Sequence, residues 1–107
     1  MNKTILLIAG GYNQVSLAEE VINQGYNLIL VDPNLESPCS KYAHTQLLHD
    51  TRFYLDILKS IEEQNLEIDG VISDQSDAAL KSVSIVAEKL DLIHKNLSFI
   101  NNSHFAL

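Results

Sequence analysis

Residues 4–11 read Thr4-Ile5-Leu6-Leu7-Ile8-Ala9-Gly10-Gly11, an unbroken apolar run stopped by a pair of glycines. The run is too short for a buried helix, and its β-branched content suits a strand. With no polar residue on either face of the pleat, such a strand belongs in a sheet covered on both sides, which is the habit of parallel sheets. Beyond the glycines the period changes. From Ser16 to Gln24 the spacing is helical, with Ala18, Val21 and Ile22 on one side and Glu19, Glu20 and Asn23 on the other. Gly25 stands where a helix terminates in a left-handed residue.

The same alternation continues downstream. Leu28-Ile29-Leu30-Val31 is a second buried strand, ended by Asp32-Pro33 because proline cannot donate to a ladder. Asn34 to Lys41 is polar, contains Pro38 and reads as a loop. Thr45 to His49 reads as a short strand centred on Leu47 and Leu48. Asp50-Thr51 is placed to cap a helix from about Arg52 to Gln64, whose stripe is Tyr54, Ile57, Leu58 and Ile61. Asp69 to Ser73 is a fourth strand, and Ala78 to Leu90 a helix with Val83, Val86, Ala87 and Leu90 inward. Asn96 to Leu107 reads as a terminal helix or the start of a connection, leaving residues 1–95 as one domain.

Strands alternating with helices imply right-handed crossovers and an α/β fold with a mostly parallel, four-stranded sheet. Ligands of such sheets bind beyond the carboxyl ends of the strands, where strand order reverses. Three loops converge there: Gly10 to Gln14, Asp32 to Ser37 and Asp74 to Asp77.

Composition narrows the partners. At 107 residues, with 46% hydrophobic and 20% charged residues, the chain is an ordinary globular domain. Its net charge of −7 and seven scattered basic residues disfavour nucleic acid and anionic membranes. No apolar run is long enough to span a bilayer. Lys3 is followed at once by the first strand, with no signal-peptide cleavage site, and the single Cys39 precludes an internal disulfide. A cytoplasmic location is the expectation.

The motifs carry no catalytic constellation. Gly10-Gly11-Tyr12-Asn13-Gln14 opens the first helix, where backbone N–H groups favour an anion. Neither G-x-G-x-x-G nor a P-loop is present, since the next glycine after Gly11 is Gly25. A tight turn without ligand and a ligand contact are about equally compatible with this stretch. Asp32 ends the second strand, at the place of a ribose-binding acid, but in an Asp-Pro turn it reads more readily as an acceptor of backbone bonds. Asp74, Gln75 and Ser76 offer polar groups to a substrate, but capping of the following helix by Ser76 or Asp74 is the stronger reading, and both can hold at once. His44, His49, His94 and His104 lack metal-ligand spacing, so no metal site is expected, and Cys39 reads as an unreactive thiol. The tyrosines, Tyr12, Tyr26, Tyr42 and Tyr54, read as edge-of-core residues.

Ile5 to Gly11, then Gly25-Tyr26-Asn27 through Asn34, then Ser37-Pro38 and Tyr42-Ala43 together resemble the preATP-grasp domain. Asp50-Thr51, Ile68 to Ile72 and Val86 to Leu90 continue the match over nearly the whole chain. This domain begins ATP-grasp ligases such as carbamoyl phosphate synthetase and biotin carboxylase. The resemblance implies a Rossmann-like three-layer sandwich in the N-terminal, substrate-side piece of an ATP-dependent carboxylate–amine ligase. By position it carries substrate contact onto Gly10, Gly11, Asn13 and Gln14, onto Asp32 and Pro33, and onto Asp74, Gln75 and Ser76. It assigns no catalytic residue and no cofactor to this piece. ATP and Mg2+ belong to the parent enzyme, on an ATP-grasp domain that would start after Leu107; the apolar ending Phe105-Ala106-Leu107 fits a cut chain or a homodimer contact, and equally a frayed tail. The piece alone is not expected to catalyse. A different reading of the same residues is a stand-alone Rossmann-like module that binds a small ligand or nucleotide, and a dinucleotide-dependent oxidoreductase fragment ranks last.

Overall fold

The computed structural model describes residues 2–73, 77–94 and 98–99, with side chains described for 2–73 and 81–90. Along the chain run β1 (Thr4–Ile8), α1 (Val15–Asn23), β2 (Asn27–Val31), β3 (Thr45–Leu47), α2 (Tyr54–Glu63), β4 (Gly70–Ile72), α3 (Asp77–His94) and β5 (Ser98–Phe99). The strands form one sheet in the order β3-β2-β1-β4-β5, and every pair in it is parallel.

Burial explains why the strands read as solid apolar runs. Leu6, Ile8, Ile29, Val31, Leu47 and Val71 face one layer, where Ile57 and Ile61 of α2 and Val83, Val86, Ala87 and Leu90 of α3 close over them. Ile5, Leu7, Leu28, Leu30 and Ile72 face the other, against Leu17, Ala18 and Val21 of α1. Alternate side chains of β1, β2 and β4 therefore enter different cores, and neither set can be polar. The helix placement follows from crossover handedness. The connection from β1 to β2 moves one way along the sheet, while those from β3 to β4 and from β4 to β5 move the other way. Right-handed crossovers in opposite directions put α1 on one face and α2 with α3 on the other. The expected three-layer α/β sandwich is present.

Differences from expectation are local. A fifth strand, β5, pairs Ser98 and Phe99 with Gly70 and Val71, so these two residues are not helical; the rest of the stretch 96–107 lies outside the described residues. Leu48 is past the end of β3 and 49% exposed. Asp50 and Thr51 do not cap α2, whose N-cap is Phe53 with no side-chain bond. Asp50 instead accepts the Arg52 backbone N–H at 2.9 Å and both Nε and Nη2 of its guanidinium, at 3.0 and 2.7 Å. Those guanidinium bonds hold the Asp50 carboxyl down at about 2. A self-contained ring over residues 50–52 competes with the cap, and the local partner wins. Tyr12 is 86% exposed rather than at the core edge, whereas Tyr26, Tyr42 and Tyr54 pack against the cores.

Two helices end in the same device. After α1, Tyr26 N–H donates to Val21 O and Gly25 N–H to Ile22 O, with Gly25 at φ +84°. After α2, Leu66 N–H donates to Ile61 O and Asn65 N–H to Glu62 O, with Asn65 at φ 52°. Both are Schellman motifs, and both use a residue that tolerates the left-handed region. A Cβ on Gly25 would meet nothing within 4 Å, so only the backbone resists it. Gly25→Ala is expected to lower stability by about 1–2 kcal/mol, read as a shift in the urea midpoint. An unchanged midpoint would show that the turn after α1 reorganises freely.

Candidate functional site

Strand order reverses between β1 and β4, so the crevice lies over the carboxyl ends of these two strands. Its floor is polar and closed. Ser73, fully buried just after β4, donates its hydroxyl to Ile8 O at 2.8 Å. Gln14, only 4% exposed, donates Nε2 to the same Ile8 O at 2.8 Å and also to Ala9 O. The last carbonyls of β1 are thus satisfied where the ladder stops. Ala9 sits at φ 79°, a strained conformation for a residue with a Cβ, and its N–H donates to Val31 O at 2.8 Å. Strain held by flanking bonds turns the chain sharply out of β1.

The wall on the β2 side is Asp32. Its Oδ2 accepts the Gly10 N–H at 3.0 Å and its Oδ1 accepts the Asn34 N–H at 2.8 Å. The carboxylate that a dinucleotide fold offers to a ribose is here engaged by the backbone on both oxygens. Gln46 Nε2 donates to Asp32 O and Asn34 O at 3.0 and 2.9 Å, tying β3 into the same corner. Segment 33–42 then folds back over the glycine turn: Cys39 N–H donates to Gly10 O at 3.0 Å, and its thiol faces Gly11 O at 3.7 Å. Burial, together with the Asp32 charge, pushes the Cys39 thiol up to about 11. It is a core side chain and not a nucleophile.

Placed on this frame, the sequence candidates separate. Gly10 is buried under Ser37 and Leu30, Gln14 is turned inward, and Asp32 holds Gly10. Gly11, Tyr12 and Asn13 are exposed at the mouth, and Pro33 is exposed at the start of its loop. Asp74, Gln75 and Ser76 lie outside the described residues. Ser37 closes one of the three loops expected here, whereas Ser73 and Cys39 were missed as parts of this corner. The local signal for Ser73 was a polar residue closing an apolar strand. Two of the histidines are structural links: His44 Nδ1 accepts Leu28 N–H at 3.1 Å, and His49 Nε2 pairs with Ser60 Oγ at 2.5 Å. Among the described residues no three His, Cys, Asp or Glu side chains gather as a metal site, and no helix is long and apolar enough to cross a membrane.

Asp32→Ala is expected to cost about 1–2 kcal/mol, because the buried Gly10 N–H loses its acceptor. Asp32→Asn can keep its oxygen on the Gly10 N–H by turning its NH2 toward the exposed Asn34 N–H, so it should lose less than the alanine variant without matching the parent. Amide hydrogen exchange at Gly10 reads the same effect directly, and protection retained in the alanine variant would contradict the clamp.

No protein-family model matches the chain, and no curated protein matches it. Solved structures do. Phosphoribosylglycinamide synthetase from Anaerococcus prevotii superposes with a TM-score of 0.73 at 22% identity, over 85% of this chain and 23% of that one. N5-carboxyaminoimidazole ribonucleotide synthetase from Thermotoga maritima gives 0.64 at 18%, over 91% of this chain and 24% of that one. Glycinamide-RNase-transformylase T from Mycobacterium tuberculosis gives 0.64 at 14%, over 92% and 26%. The likeness at these identities is one of fold. What this chain shares with them is an α/β fold that matches the N-terminal domain of these ATP-grasp ligases. The chain spans about a quarter of the length of these ligases.

Proposed function

We propose that this chain is the substrate-side, N-terminal domain of an ATP-grasp ligase that activates a carboxylate with ATP for attack by an amine, as in carbamoyl phosphate synthetase-like enzymes. The observation that carries the reading is the match of 85%, 91% and 92% of this chain, a parallel sheet with its switch point between β1 and β4, to the N-terminal quarter of three such ligases. The glycine turn supports it: Asp32, Gln14 and Ser73 fix the end of β1 from below, leaving Gly11 to Asn13 outward. In this reading Gly11 and Asn13, with Asp74, Gln75 and Ser76 from the stretch that follows β4 in sequence, meet a small carboxylate or amine substrate. Gly10, Gln14 and Asp32 hold the turn in place, and Pro33 starts the loop beside it.

The described residues do not themselves fit Mg2+–ATP. Asp32 is committed to two backbone N–H groups, and among the described residues no metal-ligand cluster accompanies it. In the proposal ATP and Mg2+ therefore sit on a partner ATP-grasp domain, in the same polypeptide or another. The rim offers that partner apolar surface: Tyr12, Leu35, Leu48, Phe53 and Leu55, the exposed large hydrophobics among the described residues, all follow the carboxyl ends of β1, β2 and β3.

Titration of the isotope-labelled chain followed by amide NMR tests the reading. A crevice with one wall buries little ligand, so small carboxylates and amines are expected to shift Gly11 to Asn13 without saturating below about 1 mM. Mg2+–ATP and NAD are expected to shift nothing. Saturable NAD or ATP binding in the micromolar range would replace the ligase reading with a self-sufficient nucleotide module.

A further inference from the structure

We draw no further inference here: the strongest candidate, the apolar rim of Tyr12, Leu35, Leu48, Phe53 and Leu55 along the carboxyl ends of β1, β2 and β3, belongs to the site already described, and nothing in the structure shows what covers it.

Discussion

Truncating Leu7 to alanine is expected to destabilise the protein by about 2–5 kcal/mol, the range for buried leucines whose removal leaves a cavity. Leu7 is completely buried in β1, with Leu30 of β2 on one side and Ile72 of β4 on the other in register. Leu17, Ala18 and Val21 of α1 belong to the same cluster above it. Neighbours held by ladders on both sides cannot collapse into the gap, which favours the upper half of the range. A domain of this size is stable by only about 5–15 kcal/mol, so the variant sits near the edge of folding. Urea denaturation followed by far-UV circular dichroism measures the loss. Leu35→Ala, at a side chain 64% exposed, is the control and should stay within about 0.5 kcal/mol of the parent. Equal losses at the two positions would show that β1 is not the central strand.

Gly10→Val should cost about 3 kcal/mol, the upper end for overpacking a well-filled site. A Cβ built on Gly10 already meets Ser37 Oγ at 2.9 Å and the two Leu30 methyl carbons at 3.0 and 3.1 Å, before the valine methyls are added. Neither neighbour can retreat. Leu30 is fully buried in β2, and Ser37 is held by Ser40, with their hydroxyl oxygens 2.8 Å apart. The adjacent glycine gives the internal contrast. A Cβ on Gly11 meets nothing within 4 Å and its φ is an ordinary −71°, so Gly11→Ala should be neutral to within about 0.5 kcal/mol. The double variant Gly10→Ala/Ser37→Ala removes one side of the clash and should recover part of the Gly10→Ala loss in a double-mutant cycle. Strict additivity in that cycle would mean that segment 33–42 does not press on the glycine turn.

That turn also shows how far local reading reaches. Two adjacent glycines of equal standing in sequence have opposite tolerance, because only one lies under Ser37, a residue in a separate loop. Gln14 behaves likewise. Its place at the mouth of a parallel sheet suggests an outward amide, yet the side chain turns in because the last carbonyls of β1 have no strand partner left. Asp32 was legible as a turn acid through its bond to Asn34 N–H two residues on. Its second bond, to Gly10, was not legible, because it depends on β1 lying beside β2. The cap expected at Asp50 failed for the reverse reason, since Arg52 offers that carboxylate a partner within its own turn.

The strands, the helices and the parallel sandwich were readable in the chain because the two cores demand apolar side chains at successive positions of β1, β2 and β4, and helices show their own period. Those are properties of neighbours a few residues apart. The corner over the switch point is made by partners far apart in sequence: Asp32 with Gly10 across 22 residues, and Ser73 with Ile8 across 65. A hydrogen bond between distant groups leaves no periodic mark on either segment, so the fold alone selects which polar residues brace the glycine turn and which remain free to meet a ligand.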